Sequence, residues 1–208
     1  VAILASGLRN TDESISLFAA DIVNRLAAWR TSEFQDLLSL RTVKYFAYGS
    51  NMLTKRLRNR VPSAKFSAVT TLTKHCLKFH KVSTDKKGNR SGKCNAYSTG
   101  KEKDVVYGVV FEIDRNELPN LAAAEVGYNP EVLTLTQRGK AEAAFMFSVT
   151  DESLLSDSLR PYAWYKELVL AGAREHNFPA EYIRAIENVP AIADPDSDRD
   201  KRSRRFLL

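Results

Sequence analysis

Val43-Lys44-Tyr45-Phe46-Ala47-Tyr48-Gly49-Ser50-Asn51-Met52 is an apolar, aromatic-rich run that breaks at Gly-Ser-Asn and turns into a basic, helix-like segment. Its β-branched and aromatic content predicts a buried strand over Val43 to Tyr48. A strand that ends in small polar residues offers backbone N–H groups and short side chains to an anionic ligand at little steric cost. Gly49 lets the backbone approach a ligand closely, Ser50 brings a hydroxyl, and Asn51 brings an amide that donates and accepts. On residue types alone, the same tripeptide also suits a plain strand-to-helix turn.

Downstream to residue 150, short strand-like runs alternate with turn signals: Lys65 to Leu72, Cys76 to Val82, Asn95 to Ser98, Val105 to Ile113, Val132 to Gln137 and Ala141 to Val149. Asp85 to Gly92, rich in Lys, Gly, Asn and Ser, reads as a mobile loop. From Pro161 the period becomes helical. Tyr165, Leu168, Val169 and Gly172 share one face, and Asn177 and Pro179 open another helix through Glu187. Upstream, Ile15, Phe18, Ile22, Val23, Leu26 and Trp29 recur at three- and four-residue spacing, which predicts an amphipathic helix over Thr11 to Arg30, capped by Thr11 or Asp12. Ser32 to Leu40 reads as a second short helix. The tail after Val189 alternates Asp with Arg and reads as disordered. The expected organisation is an N-terminal helical extension over 1–42, a domain over 43–190 and a charged tail over 191–208. Strands first and helices last make that domain α+β.

Composition sets outer bounds. A chain of 208 residues with 44% hydrophobic content can build an ordinary core. No apolar stretch reaches the ~18 to 20 residues of a membrane span, so a soluble, cytoplasmic protein is expected. Cys76 and Cys94, the two cysteines, are too few for a disulfide framework and lack metal-ligand spacing. The net charge of +6 gathers in Lys55 to Arg60, Lys74 to Lys93 and Arg199 to Arg205. Such clusters suit acidic partners, but no nucleic-acid motif accompanies them, and solvated surface is the expected role.

Isolated reactive side chains carry little. His75, His80 and His176 are dispersed, and Asp151, Ser153 and His176 form no recognisable nucleophile motif. Ser91 to Ala96 lacks the spacing of a phosphate loop, and Cys94 reads as a small packed residue. Glu125 follows a short helical run from Leu118 to Ala124, next to Val126-Gly127-Tyr128. A glutamate there is ordinarily solvated, whereas apolar surroundings would suit its carboxyl to proton exchange near neutrality.

Tyr48-Gly49-Ser50-Asn51 after an aromatic strand resembles the signature loop of the γ-glutamylcyclotransferase family. Other segments resemble that family in the same order: the Gly-containing apolar strand Val106 to Phe111, the segment Leu118 to Tyr128, and the closing region Tyr162 to Tyr182. The resemblance spans about residues 43 to 190. It implies a small, mixed, partly closed β-barrel flanked by helices, with the ligand cavity at the loop.

It also implies a reaction. The substrate's α-amine attacks its own γ-carbonyl, closing a five-membered lactam and releasing 5-oxoproline and an amine or amino acid. Glu125 corresponds to the family's catalytic glutamate, acting as base and then acid. The loop Tyr48, Gly49, Ser50 and Asn51 would hold substrate oxygens, and Tyr128 would supply a pocket hydroxyl. No metal or other cofactor is implied; the partner is a small γ-glutamyl compound, with neither membrane nor specific nucleic acid expected. Removal of a γ-glutamyl group from a biosynthetic or amine substrate, and a non-catalytic interaction module, are the alternatives. Three departures bear on the reading. Glu125-Val126-Gly127 replaces Glu-Gly-Val, Phe145 and Phe147 stand nearest a tyrosine common in the family, and Asn51 replaces the apolar residue of the glutathione-specific branch.

Overall fold

The computed structural model describes residues 31–137 and 139–208; the helix expected over Thr11 to Arg30 lies outside them. The decisive stretch forms β1 (Thr42–Ala47), the central strand of a five-stranded sheet. Val43, Tyr45, Phe46 and Ala47 are all buried because β1 has a neighbour on each edge and packing on both faces.

The remaining strands are β2 (Lys65–Thr73), β3 (His75–Thr84), β4 (Arg90–Ser98), β5 (Val105–Asp114), β6 (Asn129–Gln137) and β7 (Lys140–Ser148). The large sheet runs β2-β5-β1-β7-β6, and β3 pairs with β4 in a second sheet. β1 is antiparallel to β5 and parallel to β7, with Tyr45 opposite Phe145. The edge strands β2 and β6 approach where Thr70 Oγ1 donates to the Thr136 carbonyl at 3.2 Å. No ladder joins them, so the sheet curves without closing.

Six helices complete the described chain: α1 (Ser32–Ser39), α2 (Thr54–Arg58), α3 (Leu118–Ala124), α4 (Ala163–Glu175), α5 (Ala180–Glu187) and α6 (Ser197–Arg204). α1 folds back on the sheet, where Phe34 meets Phe145 edge-on with ring centroids 5.7 Å apart. Two expectations are corrected. The segment Asp85 to Gly92 is ordered: β4 already begins at Arg90, and Asp85 accepts from the backbone N–H groups of Lys87 and Asn89, both at 2.9 Å. The supposedly disordered tail carries α6, because its alternating charges are partnered. Asp196 caps the helix, Arg204 pairs with Asp200 and Glu167, and Asp194 accepts from Arg199 and from Trp164 Nε1 (2.7 Å).

Two glycines set the spacing of the core around the loop. A Cβ on Gly108 in β5 would lie 2.4 Å from the Phe46 ring, and one on Gly172 in α4 would lie 2.7 Å from both Leu53 N and Met52 Cβ. α4 therefore presses its backbone against the 3₁₀ turn Ser50–Met52. Gly172→Ala must push helix and turn apart, and overpacking of this kind costs ~1–3 kcal/mol. A thermal melt should show the midpoint lowered by several degrees; an unchanged midpoint would mean that the contact yields freely.

Candidate active site

The turn after β1 is fixed from both ends. Met52 N–H donates to the Gly49 carbonyl (3.0 Å), and His176 Nε2 meets the Met52 carbonyl at 3.0 Å. The result buries Ser50 and Asn51, two polar side chains that must then find partners. Gly49 has φ −117°, an ordinary extended value, so its small size matters through space. A Cβ there would meet Cys94 Cβ at 3.2 Å and the Tyr165 hydroxyl at 3.4 Å.

Glu125 is delivered by α3. The base of that helix is tied down by Ser63, whose N–H and hydroxyl both donate to Glu117 Oε2 (3.0 and 2.6 Å). Glu125 caps the other end, its N–H bonded to the Ala122 carbonyl at 3.1 Å. Gly127 then takes φ +73°, a left-handed value that glycine adopts without strain, and Lys81 Nζ donates to the Val126 carbonyl at 2.8 Å. The Val126-Gly127 order is accommodated because Val126, 61% exposed, points its side chain to solvent while the glycine makes the turn.

The two segments meet in one polar network. Asn51 Nδ2 donates to Glu125 Oε1 (2.9 Å) and to the Tyr45 hydroxyl (3.0 Å), while Arg60 Nη1 donates to Asn51 Oδ1 (2.9 Å) and Glu125 Oε1 (3.0 Å). The apolar setting expected for Glu125 is thus a polar one on one side of its carboxylate. Both of these bonds fall on Oε1, and Oε2 has no hydrogen-bond partner among the described residues. Burial, with the Glu125 charge next, raises the Tyr45 phenol well above its ordinary value, so it stays a neutral partner.

Of the other residues expected here, Ser50 Oγ accepts from Arg56 Nε at 3.2 Å. The hydroxyls of Tyr48 and Tyr128 are both committed to backbone: Tyr48 donates to the Phe147 carbonyl, and Tyr128 to the Cys94 carbonyl at 2.6 Å. Their rings line the site. Phe147 does so as well, without a hydroxyl, whereas Phe145 packs on Phe34 and Tyr45. Cys94 is buried, and burial pushes its thiol up to about 12, which keeps it protonated and inert.

Above the loop opens a cavity of about 750 Å³, and beneath it lies a chamber of about 30 Å³ walled by Tyr45, Gly49, Asn51 and Phe147. Ser50, Glu125, Tyr128 and Tyr165 border both spaces. The large cavity is lined by four cations, Arg56, Arg60, Lys81 and Lys93, against two carboxylates, Glu125 and Asp151. Such a lining favours an anionic occupant.

Comparison with known proteins bears on the family and the fold. The AIG2-like family model matches residues 105–186. A γ-glutamylcyclotransferase from Bos taurus is 32% identical over 157 residues, 70% of this chain and 77% of the relative. The one from Homo sapiens is 33% identical over 158 residues, 69% and 78%. The chain belongs to the γ-glutamylcyclotransferase family. A solved γ-glutamyl cyclotransferase superposes with a TM-score of 0.64 at 26% identity, covering 77% of this chain and 99% of that one. A human protein solved as uncharacterized gives 0.64 at 27%, covering 78% and 99%.

In this member of the γ-glutamylcyclotransferase family, Glu125 and the loop expected from the sequence come together, and Tyr45, Arg56, Arg60, Lys81, Lys93 and Tyr165, which the sequence does not single out for the site, join them around the cavities. Arg56 and Arg60, which belong to a basic cluster expected to be solvated surface, instead bond Ser50 and Glu125. The available signal was their distance from the loop: one short helix, α2, returns the chain so that Arg60 reaches Asn51, nine positions back.

Lys93 is the most perturbed cation of the cavity. Its Nζ lies over the rings of Tyr165 (3.9 Å) and Trp164 (4.3 Å), and burial, then the nearby Arg56 charge, lower it from its ordinary value to about 7. Between pH 7 and the ordinary lysine range the unfolded chain binds a proton that the folded one releases, so this residue's contribution to stability rises with pH there. In urea titrations, Lys93→Met should exceed the parent in stability most at or below pH 7, with the gap narrowing toward pH 9. A gap independent of pH would show that Lys93 is not depressed.

Proposed function

We propose that this chain is a γ-glutamylcyclotransferase that releases 5-oxoproline from a small γ-glutamyl compound. The observation carrying the reading is Glu125, which borders both cavities and is held on one oxygen by Asn51 and Arg60, its second oxygen having no hydrogen-bond partner among the described residues. The γ-glutamyl arm folds so that its α-nitrogen faces its γ-carbon. Holding that conformer removes much of the entropic barrier, since the attack is intramolecular.

Glu125 Oε2 takes a proton from the α-ammonium, and the freed nitrogen forms the new C–N bond to the γ-carbon. The carbonyl oxygen gains negative charge, which backbone N–H groups of the Gly49 to Asn51 turn stabilise. Glu125 then returns the proton to the departing nitrogen as the original C–N bond breaks, and the second proton that the attacking nitrogen sheds on becoming the lactam N–H goes to the released amine, which leaves as an ammonium, so no proton is gained or lost overall. Tyr45, Asn51 and Arg60 act through Glu125, fixing its orientation through both half-reactions. The chemistry asks for no cofactor. Its substrate would be a small molecule that enters through the basic cavity.

Glu125→Gln keeps the size of the side chain and can still accept from Asn51, but it cannot carry the proton. Release of 5-oxoproline from γ-glutamyl compounds should fall by ~100-fold or more, in protein that still folds but with its thermal midpoint lowered by loss of the partly buried Arg60 pair. Turnover close to that of the parent would remove Glu125 from the mechanism and the reading with it.

A further inference from the structure

The four cations of the large cavity are not equivalent. Arg60 is paired with Glu125, and Lys81 is bonded to the Val126 carbonyl. Arg56 and Lys93 have no carboxylate within salt-bridge reach among the described residues. Arg56 donates to Ser50 Oγ and has its guanidinium 5.7 Å from the centre of the Phe206 ring. Lys93 lies on the faces of Trp164 and Tyr165, and its ammonium has no hydrogen-bond acceptor among those residues. Two partly buried like charges repel each other, and without a counter-charge they destabilise the fold.

Both cations flank the signature loop. Arg56 is anchored to it through Ser50, and Lys93 sits on the ring of Tyr165, whose hydroxyl accepts from Cys94 N–H at 3.1 Å beside Gly49. In the proposed reaction the α-carboxylate shares a carbon with the ammonium facing Glu125, and Ser50 with its bonded Arg56 lines the same cavity as Glu125, which gives that carboxylate a cation to meet. The leaving group extends the other way, into the wide cavity.

Resting on the cyclotransferase reading, we infer that Lys93 is a specificity-determining residue that binds a carboxylate on the leaving amine, while Arg56 binds the α-carboxylate of the γ-glutamyl arm. The match is one of charge count. A γ-glutamyl amino acid or peptide brings two carboxylates to two unpartnered cations, whereas a γ-glutamyl amine brings one and leaves Lys93 buried without a counter-ion. The depression of Lys93 toward 7 by burial and by Arg56 is what an ammonium waiting for an anion would show, and a bound carboxylate would reverse it.

Two substrates that differ only in that carboxylate test the assignment: γ-glutamyl-alanine and γ-glutamyl-ethylamine, with 5-oxoproline measured for each. The parent should favour the alanine compound in kcat/KM by about tenfold or more, the range of one hydrogen bond to a charged group. In Lys93→Met the ratio should fall to within about threefold of unity, through KM rather than kcat, and Lys93→Arg should restore most of it. Arg56→Gln should weaken both substrates alike and leave the ratio standing. If Lys93→Met fails to fold, Lys93→Gln takes its place. A parent ratio near one, or a ratio that survives loss of Lys93, overturns the inference while leaving the cyclotransferase reading intact. No 5-oxoproline from either compound, in folded parent protein, overturns that reading and this inference together.

Discussion

The carboxamide of Asn51 donates to Tyr45 on the central strand and to Glu125 at the end of α3, and accepts from Arg60 beyond α2. Three separate stretches of chain therefore meet at one buried side chain, which holds two of them through its amide nitrogen and the third through its oxygen. The position of Glu125 depends on that geometry, because α3 is a short helix that could not aim a carboxylate unaided. The constraint propagates outward. Asn51 is buried only because the 3₁₀ turn is pressed against α4, and that contact requires the bare backbone of Gly172.

Around this polar centre the charges follow a division of labour. Arg60 compensates Glu125, Lys81 steadies the turn that follows it, and Arg56 and Lys93 face the open cavity. α6 secures the walls from behind: Arg199 bridges Asp85 in the β3–β4 connection and Asp194 before the helix, with bonds of 3.0 and 2.6 Å. Asn89 first, and then Arg199 among its further partners, hold the Asp85 carboxyl down to about 2, so this brace remains charged across the neutral range.

Local pattern and three-dimensional proximity were not equally readable in the sequence. The aromatic run at Val43, the Gly-containing strand at Val106 and the helical face of Tyr165, Leu168 and Val169 announce themselves through residue type and period, and each is found in the core. Glu125 and Asn51 were visible through a resemblance of motifs. Arg60, Tyr45 and Lys93 were not, because their partners, Glu125 for Arg60, Asn51 for Tyr45, and Trp164 and Tyr165 for Lys93, are set by tertiary contact, which no local period encodes. The tail was misread for a related reason. Alternating Asp and Arg look like solvated coil until Glu167 and Asp85, far away in sequence, are seen to partner them.

The parallel pairing of β1 with β7 has a consequence for how the molecule comes into being. Tyr48 and Phe147, bonded across that seam, stand 99 positions apart, so the chain must close a very long loop before its central strand is satisfied on both edges. During synthesis β1 emerges before both of its partners, β5 and β7, and an apolar, unpaired strand of this kind invites association with other chains. The Asn51 to Glu125 bond likewise spans 74 positions, so both the central strand and the polar centre beside it rest on contacts distant in sequence, which topology makes slow to form.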